Sequence, residues 1–152
     1  MIKLPGTAAK VLAATRTGVI AVAPGDTVLR ALEIMAERNI GAVVVLRGAQ
    51  LTGIMSERDY ARAVELKGRT ARETRVEEIM TRDVVTVAPA TPILECNALM
   101  HQHRIRHLPV VEGGAVVGML SSRDVLEEVI AEEEKQLETL ATERLMIDTG
   151  SY

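Results

Sequence analysis

The chain has 152 residues, 47% of them hydrophobic and 26% charged, with a formal net charge of −3 and no Trp or Phe and only two Tyr. A net negative chain almost without aromatic side chains has neither the basic surface nor the stacking platforms expected of a nucleic-acid binder, and its core must be built from aliphatic residues and Met. No apolar run reaches the roughly 18–20 residues that span a bilayer, the first fourteen residues lack the apolar core of a signal peptide, and the single Cys96 excludes an internal disulfide framework and suits a reducing compartment; the expectation is a cytoplasmic protein without membrane or nucleic-acid partners.

Self-comparison organises the rest, because an unnoticed repeat misassigns a whole fold. Gly118-Met119-Leu120-Ser121-Ser122-Arg123-Asp124 repeats Gly53-Ile54-Met55-Ser56-Glu57-Arg58-Asp59 at an offset of 65 (118 minus 53), and the same offset aligns Val19–Glu65 with Val84–Ile130 without a gap. Two units of about 60 residues each bury only a modest share of their surface alone, so they are expected to lean on one another.

In chain order, Val19–Val22 is a short apolar run closed by Pro24-Gly25, a strand and a turn. Asp26 or Thr27 can cap a helix whose apolar positions Val28, Leu29, Leu32, Ile34 and Met35 run to Asn39. In the second copy Thr91 precedes Pro92, which reads as an N-cap followed by proline at the first helical position. Ala42–Leu46, a turn at Arg47-Gly48-Ala49, and Leu51–Met55 read as a hairpin, and a second helix follows from Ser56 or Glu57. The spacing thus predicts a mixed α/β (α+β) chain of two β-α-β-β-α repeats, over residues 10–66 and 76–132. A polar linker spans 67–75, and residues 133–152 form a C-terminal helix and tail, in which Leu137, Leu140 and Leu145 form a sparse stripe for the body or a partner chain.

Each Ser-x-x-Asp stands where a strand delivers a serine to a helix start. There the exposed N–H groups favour an anion, an aspartate one turn in can accept from a vicinal diol such as a ribose, and Arg58 or Arg123 can pair with a phosphate. The same spacing is also close to a capping box, in which Ser and Asp satisfy backbone N–H groups with no ligand involved. Capping makes no demand for an arginine, and Arg recurs beside Asp in both copies.

Rival chemistries are weak. His101 and His103 are two residues apart and face different directions on a helix, so with His107 they complete no metal set. Cys96 lies on the side of Leu99 and Met100 and reads as a small core residue, and Ser56 and Ser121 lack the Gly-x-Ser-x-Gly elbow of a hydrolase. No catalytic constellation emerges, and no enzyme activity is expected.

The succession Ile79-Met80-Thr81, Val84-Val85-Thr86-Val87, Arg104-Ile105-Arg106-His107-Leu108-Pro109-Val110-Val111 and Gly118-Met119-Leu120-Ser121-Ser122-Arg123-Asp124 resembles the cystathionine-β-synthase (CBS) domain, present here as a tandem pair or Bateman module over roughly residues 10–132. The first repeat departs from the family pattern at Asn39–Val44, without the basic residue, His and Pro that stand at Arg106, His107 and Pro109. Further features look like stand-alone CBS-pair proteins of bacteria and plant organelles. The resemblance implies repeats packed sheet to sheet about a pseudo-two-fold axis, with two clefts for adenosine-containing ligands: AMP first, then ADP, ATP, NAD(H) or S-adenosylmethionine. One cleft would combine Ser121, Arg123, Asp124 and His107 with Thr15, Thr17, Ile40 and Gly41; the other would combine Ser56, Arg58 and Asp59 with Thr81, Ile105 and Arg106. The Asp124 cleft is expected to be the better site, because His107 and Arg106 add polar contacts. The implied role is that of a homodimeric regulatory module signalling to a partner not named by the sequence, such as a metabolic enzyme, transporter or thioredoxin. The alternative is a dimeric adaptor whose partner binding ignores nucleotide.

Overall fold

The computed structural model describes residues 6–15 and 18–149, side chains to residue 146. Helix α1 (Ala8–Thr15) precedes β1 (Ala21–Val22), α2 (Val28–Arg38), β2 (Ala42–Arg47), β3 (Gln50–Ser56) and α3 (Glu57–Ala63). A single 3-10 turn and α4 (Val76–Ile79) lead to α5 (Ile93–His103), β4 (His107–Glu112), β5 (Ala115–Ser121) and the long α6 (Ser122–Thr149). The fold is mixed α/β, with a three-stranded sheet in the order β1-β2-β3, a two-stranded sheet of β4 and β5, and contact between them through β3 and β5.

Local chemistry accounts for most element boundaries. Thr27 caps α2 by accepting from the Arg30 N–H at 3.1 Å, and Asn39 ends it in the left-handed region, which asparagine tolerates. Arg104 ends α5 in the same conformation. In the second copy Pro92 occupies the cap position itself, and Thr91 turns back to accept from the Ala88 N–H at 2.9 Å. The expected Thr91 cap is therefore displaced by one residue, and Thr91 does what the carboxylate of Asp26 does for Ala23 in the first copy.

The second repeat also lacks the expected first strand. Val87 forms only an isolated parallel bridge with Val110, whereas β1 pairs at Ala21–Val44 and Val22–Val45. Extending that bridge by one residue would require an N–H at position 109, the counterpart of Val44. Proline has none, so the ladder stops.

Helix α1 was not anticipated, although Ala8, Ala9, Ala13 and Ala14 are strong helix formers. It docks on the second repeat: Ala8 and Ala9 donate to the Thr91 and Pro89 carbonyls, and Ile93 donates to Gly6. The mirror-image bonds join α4 to the first repeat, from Val76 and Glu77 to Asp26 and Pro24, and from Val28 to Thr74. Each leading helix thus closes the other unit's core: Ala8 and Val11 lie among Val87, Ile93, Cys96, Leu108 and Leu120, while Val76 and Met80 lie among Val22, Val28, Met35 and Met55. Two half-size cores become interdependent in this way. The polar segment between the repeats is part of the same arrangement, since Ala71 and Thr74 accept backbone bonds from α2 and Thr74 is buried.

Two glycines fix how closely the leading helices approach. A Cβ on Gly118 would lie 2.7 Å from Leu12, and one on Gly53 would lie 2.6 Å from the Met80 sulfur and 2.9 Å from the Thr81 carbonyl.

Candidate functional site

Two clefts open between the repeats, of about 510 Å³ and about 410 Å³. The larger is walled by Ser121, Arg123 and Asp124 at the start of α6, by Thr15 on α1, and by Ile40 and Gly41 between α2 and β2. The smaller is walled by Ser56, Arg58 and Asp59 at the start of α3, by Thr81 after α4, and by Ile105 and Arg106 between α5 and β4. The fold therefore brings together the residues grouped from the sequence. Thr17 lies outside the described residues. The division differs at three residues: Gly41, Arg106 and His107 each line both clefts, so Arg106 and His107 cannot rank one cleft above the other.

Both serines cap their helices. Ser121 Oγ accepts from the Asp124 N–H at 3.1 Å, and Asp124 Oδ2 accepts from the Ser121 N–H at 3.4 Å. In the first repeat Ser56 Oγ accepts from Asp59 N–H at 3.2 Å, and Asp59 Oδ2 accepts from Ser56 N–H at 2.8 Å and from Ser56 Oγ–H at 3.1 Å. The capping box is thus real in both copies, and it holds each carboxylate at the cleft wall. What the cap leaves unused differs. Asp59 Oδ1 accepts from Thr81 Oγ1–H at 3.4 Å, whereas Asp124 Oδ1 has no hydrogen bond among the described residues.

The arginines differ as well. Arg123 Nε lies 3.2 Å from Glu127 Oε1, both highly exposed, while Arg58 makes no ion pair among the described residues. His107 packs on Gly41, whose added Cβ would sit 3.5 Å from the imidazole. Burial there pushes the His107 pKa below its ordinary value; Asp124 opposes the shift and Arg106 reinforces it.

Arg38, Asn39 and Arg104 also reach the clefts and were not anticipated. Asn39 and Arg104 are the only non-glycine residues with positive φ among the described residues. The sequence signal was available for Asn39, a helix-ending residue next to a proposed site, and not for Arg104. The rival sites fall elsewhere: His101 and His103 are exposed on the last turn of α5, and Cys96 is fully buried with its thiol pKa pushed up by that burial. No helix of the described residues is long and apolar enough to cross a membrane.

Comparison with known proteins accords with this architecture. A curated relative, the mitochondrial CBS domain-containing protein CBSX3 of Arabidopsis thaliana, is 39% identical over 120 residues, covering 76% of this chain and 58% of the relative. The chain thus spans little more than half of that protein. A putative signal-transduction protein with CBS domains from Burkholderia ambifaria superposes with a TM-score of 0.77 at 45% identity, over 82% of this chain and 94% of that one. The CBS domain pair of protein MJ0100, solved in complex with 5′-methylthioadenosine and S-adenosyl-L-methionine, superposes with a TM-score of 0.71 at 26% identity, over 81% of this chain and 94% of that one. The CBS domain model matches residues 11–66 and again 76–131, and the chain belongs to the CBS domain family as a tandem pair.

Proposed function

We infer that this protein is a non-catalytic regulatory module that binds an adenosine-containing ligand between its repeats and passes the bound state to a partner protein. The observation that carries the reading is the Asp124 cleft. It combines a helix start, a carboxylate with one oxygen unused among the described residues, and an arginine at the rim, facing backbone at Ile40 and Gly41 from the other repeat. Its volume of about 510 Å³ lies in the range of about 300–1,000 Å³ usual for small-molecule sites. In this reading Asp124 holds the ribose hydroxyls, Ser121 and Arg123 the phosphate, and the backbone near Ile40 the adenine edge. Asp59, Ser56 and Arg58, with Ile105, do the same in the second cleft. AMP is the first choice, with ADP, ATP, NAD(H) and S-adenosylmethionine as the other members of the class. The complex of MJ0100 with two adenosine compounds supports that class. The buried free thiol of Cys96 suits a reducing compartment, the cytoplasm in this reading.

A ligand moves a conformational equilibrium only through its differential affinity, and a swing from 1:99 to 99:1 takes about 5.5 kcal/mol. A nucleotide touching both repeats supplies a fraction of that, so the response is graded. The adaptor reading draws on a different observation, that capping alone accounts for both Ser-Asp pairs and that α6 runs far past the body with exposed leucines. Two measurements separate them. Denaturing the purified protein and identifying the released small molecules by mass spectrometry should yield an adenine nucleotide. Thermal unfolding with millimolar AMP, ATP, NADH or S-adenosylmethionine should raise the midpoint for at least one; no release and no shift with any of the four would leave the adaptor.

A further inference from the structure

Helix α6 changes character along its length. Up to Gln136 one stripe faces the body: Val125 is buried, Val129 packs on the second core, Glu132 is 3% exposed and Gln136 is half-buried. From Leu137 to Met146 every residue is exposed. Leu137 and Leu140 in that arm thus stand away from the tertiary packing among the described residues, and such packing supplies most helical stability in proteins.

A second stripe runs beside the first. Leu126, Ile130, Glu133, Leu137, Leu140 and Arg144 follow one another at alternating spacings of four and three, the seam of a coiled coil. Its four apolar members are all exposed, Leu137 at 66% and Leu140 at 60%. The two polar members carry opposite charge and are placed symmetrically, Glu133 one step before Leu137 and Arg144 one step after Leu140.

This symmetry selects an occupant. We propose that the arm of α6 is the interface for a second copy of this chain, paired antiparallel about a two-fold axis between Leu137 and Leu140. Leu137 then faces Leu140 of the second copy, and Glu133 faces its Arg144, each twice by symmetry. A parallel pair would set Glu133 against Glu133 and Arg144 against Arg144, two like-charge layers inside one seam. The flanking positions nearest the axis agree: antiparallel pairing sets Glu134 beside Ala141 and Gln136 beside Glu143, neither of them a like-charge pair. The interface is independent of the nucleotide clefts and stands or falls without them.

Disulfide trapping on the full chain tests both the contact and its direction. Chains carrying Leu137→Cys are mixed with chains carrying Leu140→Cys and oxidised; native Cys96 is buried and stays silent. The mixture should give covalent dimers several-fold faster than either variant alone. Arg144→Glu, introduced into both chains, should abolish the mixed product, and adding Glu133→Arg should restore it. Faster cross-linking of either single variant alone would make the pair parallel and overturn the proposal. So would the absence of cross-linking in every combination, or a mixed product indifferent to Arg144→Glu. Each substitution is at an exposed position, and unchanged circular dichroism confirms that folding is not what the trap reads.

Discussion

The two clefts share a Ser-x-Arg-Asp start and differ in what the opposite segment brings to it. In the Asp59 cleft the carboxylate is engaged by Ser56 on one oxygen and by Thr81 on the other. In the Asp124 cleft the outer oxygen accepts no hydrogen bond among the described residues. The backbone bonds that dock the two leading segments correspond at an offset of 68 (74 minus 6), not the 65 of the repeats, so three more residues separate the docked helix start from the repeat in the first copy than in the second. The segment that α1 sends to the Asp124 cleft is therefore in a different register from the one that α4 sends to the Asp59 cleft. A duplicated motif does not make a duplicated site when half of each site comes from an element in another register.

The sharpest contrast is expected at the glycines. Alanine at Gly53 meets the backbone carbonyl of Thr81 as well as Met80, and a carbonyl held in a bridge to Ile54 cannot move aside. The three atoms nearest an alanine Cβ at Gly118 all belong to the flexible Leu12 side chain. Overpacking costs about 1–3 kcal/mol, so Gly53→Ala should lie near the top of that span and Gly118→Ala near the bottom, read by urea denaturation. Equal losses would mean that the two leading helices are held with equal rigidity.

Next in size is the effect on binding. Hydrogen bonds to charged groups contribute about 1.5–3 kcal/mol, so Asp124→Ala should weaken nucleotide binding roughly ten- to hundredfold, measured by calorimetry on the full chain. Asp59→Ala should do less, because Thr81 already occupies that carboxylate. The reverse order would make the Asp59 cleft the principal site.

How much of this was legible follows from where the information resides. The 65-residue repeat, the hairpin at Gly48, and the helix starts at Ser56 and Ser121 are legible in the sequence, the last two set by capping and turn chemistry within a few residues. The missing strand around Val87 depended on Pro109, more than twenty residues away. Proline at that position was visible, but its consequence appears only once the register of the bridge is known. The exchange of α1 and α4 between units has no local signature at all, since Val11 and Val76 read as ordinary apolar residues whichever core they enter. For the same reason Arg106 and His107 were divided between clefts that they in fact share.

His107 offers a smaller effect with a definite sign. Its folded pKa lies below the ordinary value of 6.5. The contribution of the neutral, half-buried ring is therefore complete above pH 6.5. As the pH falls below that, the unfolded chain takes up a proton that the folded chain resists, and stability declines until the folded ring itself protonates. His107→Gln should flatten the slope of stability against pH in this window. Asp124→Ala should steepen it, because the carboxylate favours the protonated ring. A slope unchanged in both variants would place the titration elsewhere.

The smallest effect separates phosphate from nucleoside recognition. Glu127 holds Arg123 at 3.2 Å in an exposed pair, and such pairs contribute about 0.2–1 kcal/mol. In the first repeat the matching position is Arg62, so Arg58 has no carboxylate to leave before it meets a phosphate. Glu127→Gln should therefore raise the affinity for AMP a few-fold at the Asp124 cleft and leave adenosine unchanged, with Glu127→Arg exceeding it. The ratio of the two affinities is the quantity to measure. If adenosine gains as much as AMP, Arg123 is not the phosphate contact, and the rise comes from removing a negative charge from the cleft mouth.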